Sequence, residues 1–436
     1  MSNKLTKQES EAQRPTNWSW VESQIWTERM LTALGNGVKG NKWFSLWDKV
    51  KRLETLNAAW VQVRRNRGAS GVDKISIDRF ESNATHYLNE LAEGLHKGTY
   101  RPQAVKRVHI PKGNGKMRPL GIPTVKDRIV QTALLKVIEP IFENEFLDMS
   151  YGFRPQRGAK GALREVDSLL KEGYIWVVDA DIEGYFDNIS QSILMNRVEE
   201  HISDGKVLQL LKQFLKQPIM EEAKRHVPAK GTPQGAVISP LLANIYLHPL
   251  DKLVTESGHK MVRYADDFVI LCKTKEEALQ VLNQIKCWTQ ANGLTLHPDK
   301  THVGNCTEIG QGFEFLGYRF EAGNRHVRKK SMKKLRDTIR SKTRRSRGNK
   351  ICLIIADVNR TLKGWFEYFK HACKSTFRNV DGFVRRRLRS ILRRQNKRSK
   401  GTGRNVLDHT RWPNQFFANH GLFTTERAHR QACQPR

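Results

Sequence analysis

Two acidic clusters carry the chemistry open to this sequence. VRYADDFVILCK (262–273) sets adjacent carboxylates, Asp266 and Asp267, between apolar runs, and YIWVVDADI (174–182) closes another apolar run on Asp179 and Asp181. Asp favours turns, so a pair of acids at a hairpin can be plain turn chemistry. Here the flanking runs read as buried strands, and an uncompensated charge at the end of such a strand is costly. Acids from two strand ends that converge in space would make an oxygen-ligand site suited to Mg²⁺. Two such ions ~3.5–4 Å apart can activate an attacking hydroxyl and stabilise a leaving pyrophosphate. Asp181 and Asp266 are 85 positions apart, so their convergence is an expectation about the fold and not a property of the spacing.

The elements that must position these acids can be read from periodicity. In 262–273 the apolar runs predict two short strands around a tight turn, and YIWVVDADI reads as one buried strand. VISPLLANIYLHPLDKLV (237–254) and KDRIVQTALLKVIEPIF (126–142) read as helices. So does WDKVKRLETLNAAWVQVRRN (47–66), with Trp47, Val50, Leu53, Leu56 and Trp60 three or four apart. RGASGVDK (67–74) is a Gly-rich break. AVKRVHIP (104–111) reads as a strand, followed by a KGNG turn and KMRPLGIP. That last stretch places Lys116 and Arg118 two apart on one strand face. Such a pair can hold a triphosphate, Arg with a bidentate grip, or can be a solvated basic face. GFEFLGYRFEAG (312–323) alternates aromatics and predicts a hairpin. Residues 1–45 read as a polar lead-in with scattered Trp.

The chain has 436 residues, a net charge of +32 and a pI near 10.1, which calls for a polyanionic partner. No run approaches the ~18 apolar residues of a membrane span, so no membrane partner is expected. From Arg325 to Arg404 there are 28 Lys and Arg against 4 Asp and Glu. Val358, Leu362, Trp365, Phe366 and Phe369 form one apolar stripe there, and Met332, Leu335 and Ile339 another, so this region reads as basic-faced helices and not as a charged tail. KRSKGTGRN (397–405) reads as a linker, and WPNQFFANHGLF has the aromatics to fold or dock. The six cysteines form no C-x-x-C pair, which argues against a zinc ribbon or a disulfide framework. The N-terminal residues lack the apolar core of a signal peptide, and a cytoplasmic, reduced setting is expected.

Seven blocks give these residues a family context. RPLGIPTVKDRIVQ (118–131), YGFRPQRG (151–158), ADIEGYFDNI (180–189), GTPQGAVISPLLANIYL (231–247), RYADDFVIL (263–271), LHPDKT (296–301) and FEFLGYRF (313–320) stand in the order found in group II intron-encoded reverse transcriptases, the maturases. The chain resembles that family over roughly residues 45–395. The resemblance implies an α+β right-hand polymerase: fingers, a palm with an antiparallel sheet, and a helical thumb. With the composition, it gives an expected domain order of 1–45 extension, 46–104 N-terminal fingers extension, 105–323 fingers and palm, 324–396 thumb, and 397–436 basic linker, with or without a small DNA-binding tail.

Carried over residue by residue, Asp181 resembles the first catalytic metal ligand, and Asp266 and Asp267 the second pair, Asp266 being the more direct ligand. Two Mg²⁺ ions are implied. Asp179 and Asp187 do not match ligand positions, and Asp187 reads as structural. Lys116, Arg118 and Lys300 resemble residues that hold the incoming dNTP's phosphates, although a surface lysine is the plain reading of Lys300. Phe186 resembles the aromatic that excludes a 2′-hydroxyl, or is a core aromatic, or is both. Gln234 and Gly235 resemble the loop beneath the nascent base pair. Gly317 lies in a segment resembling the primer grip. In the thumb, Lys333, Arg340, Lys363, Arg385 and Arg386 are expected to hold nucleic-acid phosphates.

The implied function is copying of RNA from a DNA primer with dNTPs, together with binding of a parent group II intron RNA to assist splicing and movement into target DNA. About 30 residues follow the linker, with one cysteine, Cys433. No endonuclease of the chain's own is expected, and mobility would need a primer from elsewhere. The rivals are a domesticated reverse transcriptase serving phage defence or spacer acquisition, and an RNA-binding splicing factor without polymerase activity.

Overall fold

Short apolar runs bounded by Gly, Pro and acids become strands, and the runs with helical period become helices. A computed structural model describes residues 18–113, 116–222, 224–346, 348–396 and 407–433. Among them, eleven strands form three sheets: β1 (Val105–Gly113), β2 (Lys116–Ile122), β3 (Trp176–Asp181), β4 (Ile219–Glu221), β5 (Lys224–His226), β6 (Lys260–Tyr264), β7 (Asp267–Cys272), β8 (His302–Asn305), β9 (Phe313–Phe315), β10 (Tyr318–Glu321) and β11 (Asn324–Val327). The orders are β2-β1-β4-β5, β6-β7-β3-β8 and β11-β10-β9.

The chain divides into two compact units that interleave in sequence. One comprises Met1–Ala162, Asp181–Asp266 and Val281–Pro298; the other comprises Leu163–Ala180, Asp267–Gln280 and Asp299–Arg436.

In the first unit the helix Val125–Glu145 is the central element. Thr124 caps it by accepting the Asp127 N–H at 3.1 Å, and residues along most of its circumference are buried, as befits a helix surrounded by others. The helix Ser239–Glu256 is likewise buried on several faces. β1 and β2 pair as an antiparallel hairpin with Ile110 opposite Arg118. From residue 18 onward the lead-in packs against this unit. Its helix Glu28–Asn36 follows Trp26, which is 1% exposed, donates its indole N–H to the Lys136 carbonyl and meets Trp43 edge-on. The helix expected over 47–66 is broken at Lys51–Arg52 into Trp47–Val50 and Leu53–Asn66.

In the second unit β3 and β8 pair antiparallel, with Asp179 opposite His302. β9 and β10 form the expected hairpin. Its two-residue turn, Leu316–Gly317, has positive φ at both positions (48° and 86°), the sign pattern of a type I′ turn. The helices Lys329–Lys342, Ile351–Phe369 and Lys374–Gln395 turn both apolar stripes read from the sequence inward, with Met332 and Trp365 half-buried at their margins. Trp412 and Phe417 complete that same core, with Phe416, Leu422 and Phe423 packed against it. Residues 412–423 are therefore packed into the core of the helical unit. The linker read at 397–405 lies outside the described residues.

Candidate active site

Asp181 is the last residue of β3, and its backbone is held on the side that leaves the strand. The Asp181 carbonyl accepts the His297 N–H at 2.7 Å, the Glu183 N–H reaches the Thr295 carbonyl at 2.9 Å, and Ile182 bridges Leu296. Four residues on, Tyr185 is buried and donates its hydroxyl to the Ala243 carbonyl at 2.6 Å. Burial pushes the Tyr185 phenol well up; the Asp266 carboxylate pushes the same way and the Arg263 guanidinium opposes. Asp266 thus lies within electrostatic range of the segment that follows Asp181.

Asp266 stands at a two-residue turn, Ala265–Asp266, between β6 and β7. Only the first turn residue has positive φ, 60° at Ala265, a sign pattern that glycine usually supplies. A left-handed alanine is sustained only where its surroundings over-determine it, and here they do. Arg263 is fully buried. Its guanidinium grips Asp251 through two bonds of 2.7 and 2.5 Å, and donates to Asn244 Oδ1 and to the Ala265 carbonyl at 2.9 Å each. The Ala265 carbonyl belongs to the peptide plane that leads into Asp266, so this bond sets the orientation of the turn. Asn244 Nδ2 donates to the Gly152 carbonyl at 2.8 Å. Gly152 lies so close beneath the turn that a Cβ there would sit 2.3 Å from the Ala265 nitrogen. Arg154 in turn is buried, pairs with Glu143 and donates to the Leu147, Ser150 and Phe146 carbonyls.

Arg263, Asp251, Asn244 and Gly152 were not singled out by sequence reasoning. A signal existed: Asn244 and Asp251 are polar, seven apart and therefore on one face of a helix rich in Leu, Ile and Val.

The loop 231–235 meets the residues after Asp181. Gly231 packs so tightly on the Asp187 and Phe186 carbonyls that a Cβ would approach to 2.8 and 2.9 Å, and the Thr232 N–H donates to the Phe186 carbonyl at 2.8 Å. Phe186 is half-buried and edge-on to Tyr185. Gln234 accepts from Arg118 Nε at 3.0 Å and donates to Asp187 Oδ2 at 3.0 Å. Gly235 has φ of 102°, and a Cβ there would meet the Gly121 carbonyl at 2.3 Å. The close approach that this glycine permits is thus to the backbone of β2. Asp187, Gln234, Arg107 and Lys230 line a cavity of about 280 Å³. Lys116 opens β2, and its side chain lies outside the described residues.

In the second unit, Asp267 opens β7 and Lys300 stands exposed in the turn before β8. Gly317 forms the β9–β10 turn described above, and its carbonyl accepts the Arg328 N–H at 2.9 Å. Lys333, Arg340, Lys363 and Arg386 are exposed on helices and Arg385 is half-buried. Arg340 pairs with Asp337 at 2.6 Å. The guanidiniums of Arg336, Arg340 and Arg386 gather within 6.0 Å of the Phe383 ring. Among the described residues, no group of three or more His, Cys, Asp or Glu side chains is drawn together as a metal cage. The first unit brings together Arg118 with Gln234 and Asp187, and the Asp266 carboxylate acts electrostatically on Tyr185. No described helix is long and apolar enough to cross a membrane.

Residues 110–320 match the reverse transcriptase (RNA-dependent DNA polymerase) family, and residues 332–412 match the group II intron maturase-specific domain. Protein YkfC of Escherichia coli K12 is 35% identical over 289 residues, which is 57% of this chain and 75% of YkfC. The group II intron-encoded protein LtrA of Lactococcus lactis subsp. cremoris is 38% identical over 242 residues, 55% of this chain and 39% of LtrA. A Candida tropicalis apo telomerase structure covers 76% of this chain and 72% of its own at 14% identity, with a TM-score of 0.44, a likeness too slight to argue from. The chain belongs to the group II intron-encoded reverse transcriptases and joins a polymerase domain of α+β right-hand type to a maturase-specific helical domain. It spans most of YkfC but well under half of LtrA. The polymerase family uses divalent metal ions, and both domains are RNA-binding.

Proposed function

We propose that this chain extends a DNA primer on an RNA template with dNTPs, and that it binds its parent group II intron RNA to assist splicing and mobility. The observation that carries the reading is the braced turn. Asp266 sits on a backbone fixed by a buried guanidinium and a close-packed glycine, within electrostatic range of the segment after Asp181. Oxygen-only donors of this kind suit a hard divalent ion. Asp181 and Asp266, with Asp267 next in the chain, would hold Mg²⁺, two ions in our reading. Such ions supply activation of the primer 3′-hydroxyl and charge stabilisation of the leaving pyrophosphate.

The chain's own residues bind and orient. Arg118, with Lys116 beside it on the strand, grips the triphosphate. Phe186, anchored through its carbonyl by Thr232, packs against the sugar and disfavours a 2′-hydroxyl. Gln234 supports the nascent pair. Basic helix faces, with Lys333, Arg340, Lys363, Arg385 and Arg386, hold phosphates of the RNA–DNA duplex and of the intron. Splicing chemistry would stay with the RNA. Target DNA would be the second nucleic acid, and the work would be done in the cytoplasm, where intron RNA and dNTPs meet.

The test is primer extension on an RNA template with dNTPs and Mg²⁺, comparing wild type with Asp266→Ala, with RNA binding measured on both. Extension lost in the variant while RNA binding is kept supports the reading. A folded wild type that binds RNA and extends nothing under varied conditions replaces it with a splicing factor lacking polymerase activity.

A further inference from the structure

Phe153 combines two features that a protein ordinarily avoids. It is 51% exposed, although it is a large apolar side chain, and its φ is +57°, a left-handed backbone in which a bulky residue is an outlier. A glycine would serve that backbone better, and a polar residue would serve that exposure better. The conformation is imposed from both sides. Gly152, just before it, is wedged under the Ala265 turn and tied to Asn244, and Arg154, just after it, is locked by Glu143 and three carbonyls. The ring is therefore presented and not floppy. Its centroid lies 6.3 Å from that of Tyr264, at 45°, and Tyr264 is half-buried, two residues before Asp266.

Strain held by a rigid frame beside reacting groups marks residues kept for a ligand. An exposed aromatic surface on a chain of net charge +32 fits a ligand that is both anionic and flat-faced, which is nucleic acid. We propose that Phe153, with Tyr264 beside it, is a stacking surface for the terminal nucleotide of the strand being extended. The inference rests on the polymerase reading above. It assigns the YGFRP segment two tasks: Gly152 packs under the turn while Arg154 anchors the segment to 143–150, and Phe153 meets the substrate.

The test separates folding from contact. Phe153→Gly removes the strain together with the ring, so its thermal midpoint should equal or exceed that of wild type, while its affinity for a primer–template duplex, read by fluorescence anisotropy, should fall about tenfold, as expected for losing one stacked base. Phe153→Asn, a residue that tolerates this backbone, should behave alike, and Phe153→Tyr should restore affinity. With a primer whose 3′ nucleotide is abasic, wild type and Phe153→Gly should bind equally. Unchanged affinity in both the Gly and Asn variants overturns the proposal, as does a penalty that persists on the abasic primer, which would put the ring against another nucleotide. A wild type that extends no primer sinks the polymerase reading and this inference with it, an outcome distinct from a wild type that extends while the Gly variant binds normally.

Discussion

Arg118 and Gln234 are joined across 116 positions of sequence by an Nε–H to Oε1 hydrogen bond of 3.0 Å, and the other end of the Gln234 amide is tied to Asp187. A guanidinium can only donate and a carboxylate can only accept, so the amide has one permitted orientation. A triphosphate arriving at Arg118 must compete with that amide oxygen. Arg118→Lys keeps the charge and loses the fork. It should raise the dNTP KM about tenfold, a cost of ~1.4 kcal/mol, with little change in unfolding because the arginine is exposed. Asp187→Ala frees the amide and should raise the KM by a smaller factor. Steady-state extension at varied dNTP reads both; an unaltered KM in Arg118→Lys removes Arg118 from the nucleotide site.

Removing one partner of a buried ion pair leaves the other charge stranded. Asp251→Asn should lower unfolding stability by roughly 3–5 kcal/mol, read from urea denaturation. Replacing both partners, Asp251→Leu with Arg263→Met, should recover much of that stability but not extension activity, since the bond from Arg263 to the Ala265 carbonyl is still absent. Recovery of both would reduce the network to plain packing.

Glu139 gives a pH signature. Burial, with Glu143 nearby, pushes its carboxyl up to about 7, against a smaller opposing pull from Lys136. The folded chain therefore binds a proton that the unfolded chain releases near pH 4.5, and stability falls as pH rises from there through about 7. Glu139→Gln should match wild type near pH 4 and exceed it at pH 8, by at most about 3 kcal/mol. Thermal melts of the two proteins between pH 4 and 8 check this; parallel curves would contradict it.

Asp381 ties the last helix, Thr425–Ala432, to the helical unit by accepting the Thr425 and Glu426 N–H groups at 2.9 and 3.0 Å and the Thr425 hydroxyl at 2.7 Å. Asp381→Ala should cost ~1–2 kcal/mol, as for a lost helix cap. It should also bring early proteolytic cleavage after residue 406, whereas a variant as resistant as wild type would mean that Trp412 and Phe417 alone hold the segment.

What could be read in advance was what neighbouring residues decide among themselves. The hairpin at 313–321 follows from local alternation and that at 260–272 from short apolar runs, with Asp181 at the end of β3 and Asp266 in the turn between β6 and β7. What could not be read depends on partners far along the chain. In a sequence with 76 Lys and Arg, nothing local marks Arg263 as the one that is buried whole; its environment comes from a helix that only the fold brings alongside. Trp26 looked like part of a polar lead-in because its acceptor is the Lys136 carbonyl. The Trp412 and Phe417 segment read as a tail because the charged stretch before it hides the continuity of the core. The packing of Gly235 on Gly121 joins residues 114 positions apart and has no local signal.

β6 is the outermost strand of its sheet, and Met149–Tyr151 lies along it, with the Arg263 N–H reaching the Met149 carbonyl and the Tyr151 N–H reaching the Arg263 carbonyl at 2.9 and 2.8 Å. The segment that steadies the Ala265–Asp266 turn thereby also occupies backbone groups that an open edge would offer to another chain. Loosening residues 149–154 would then do more than slow a reaction. It would uncover a template for self-association, so damage there should surface first as precipitated protein and only second as a soluble, inactive one.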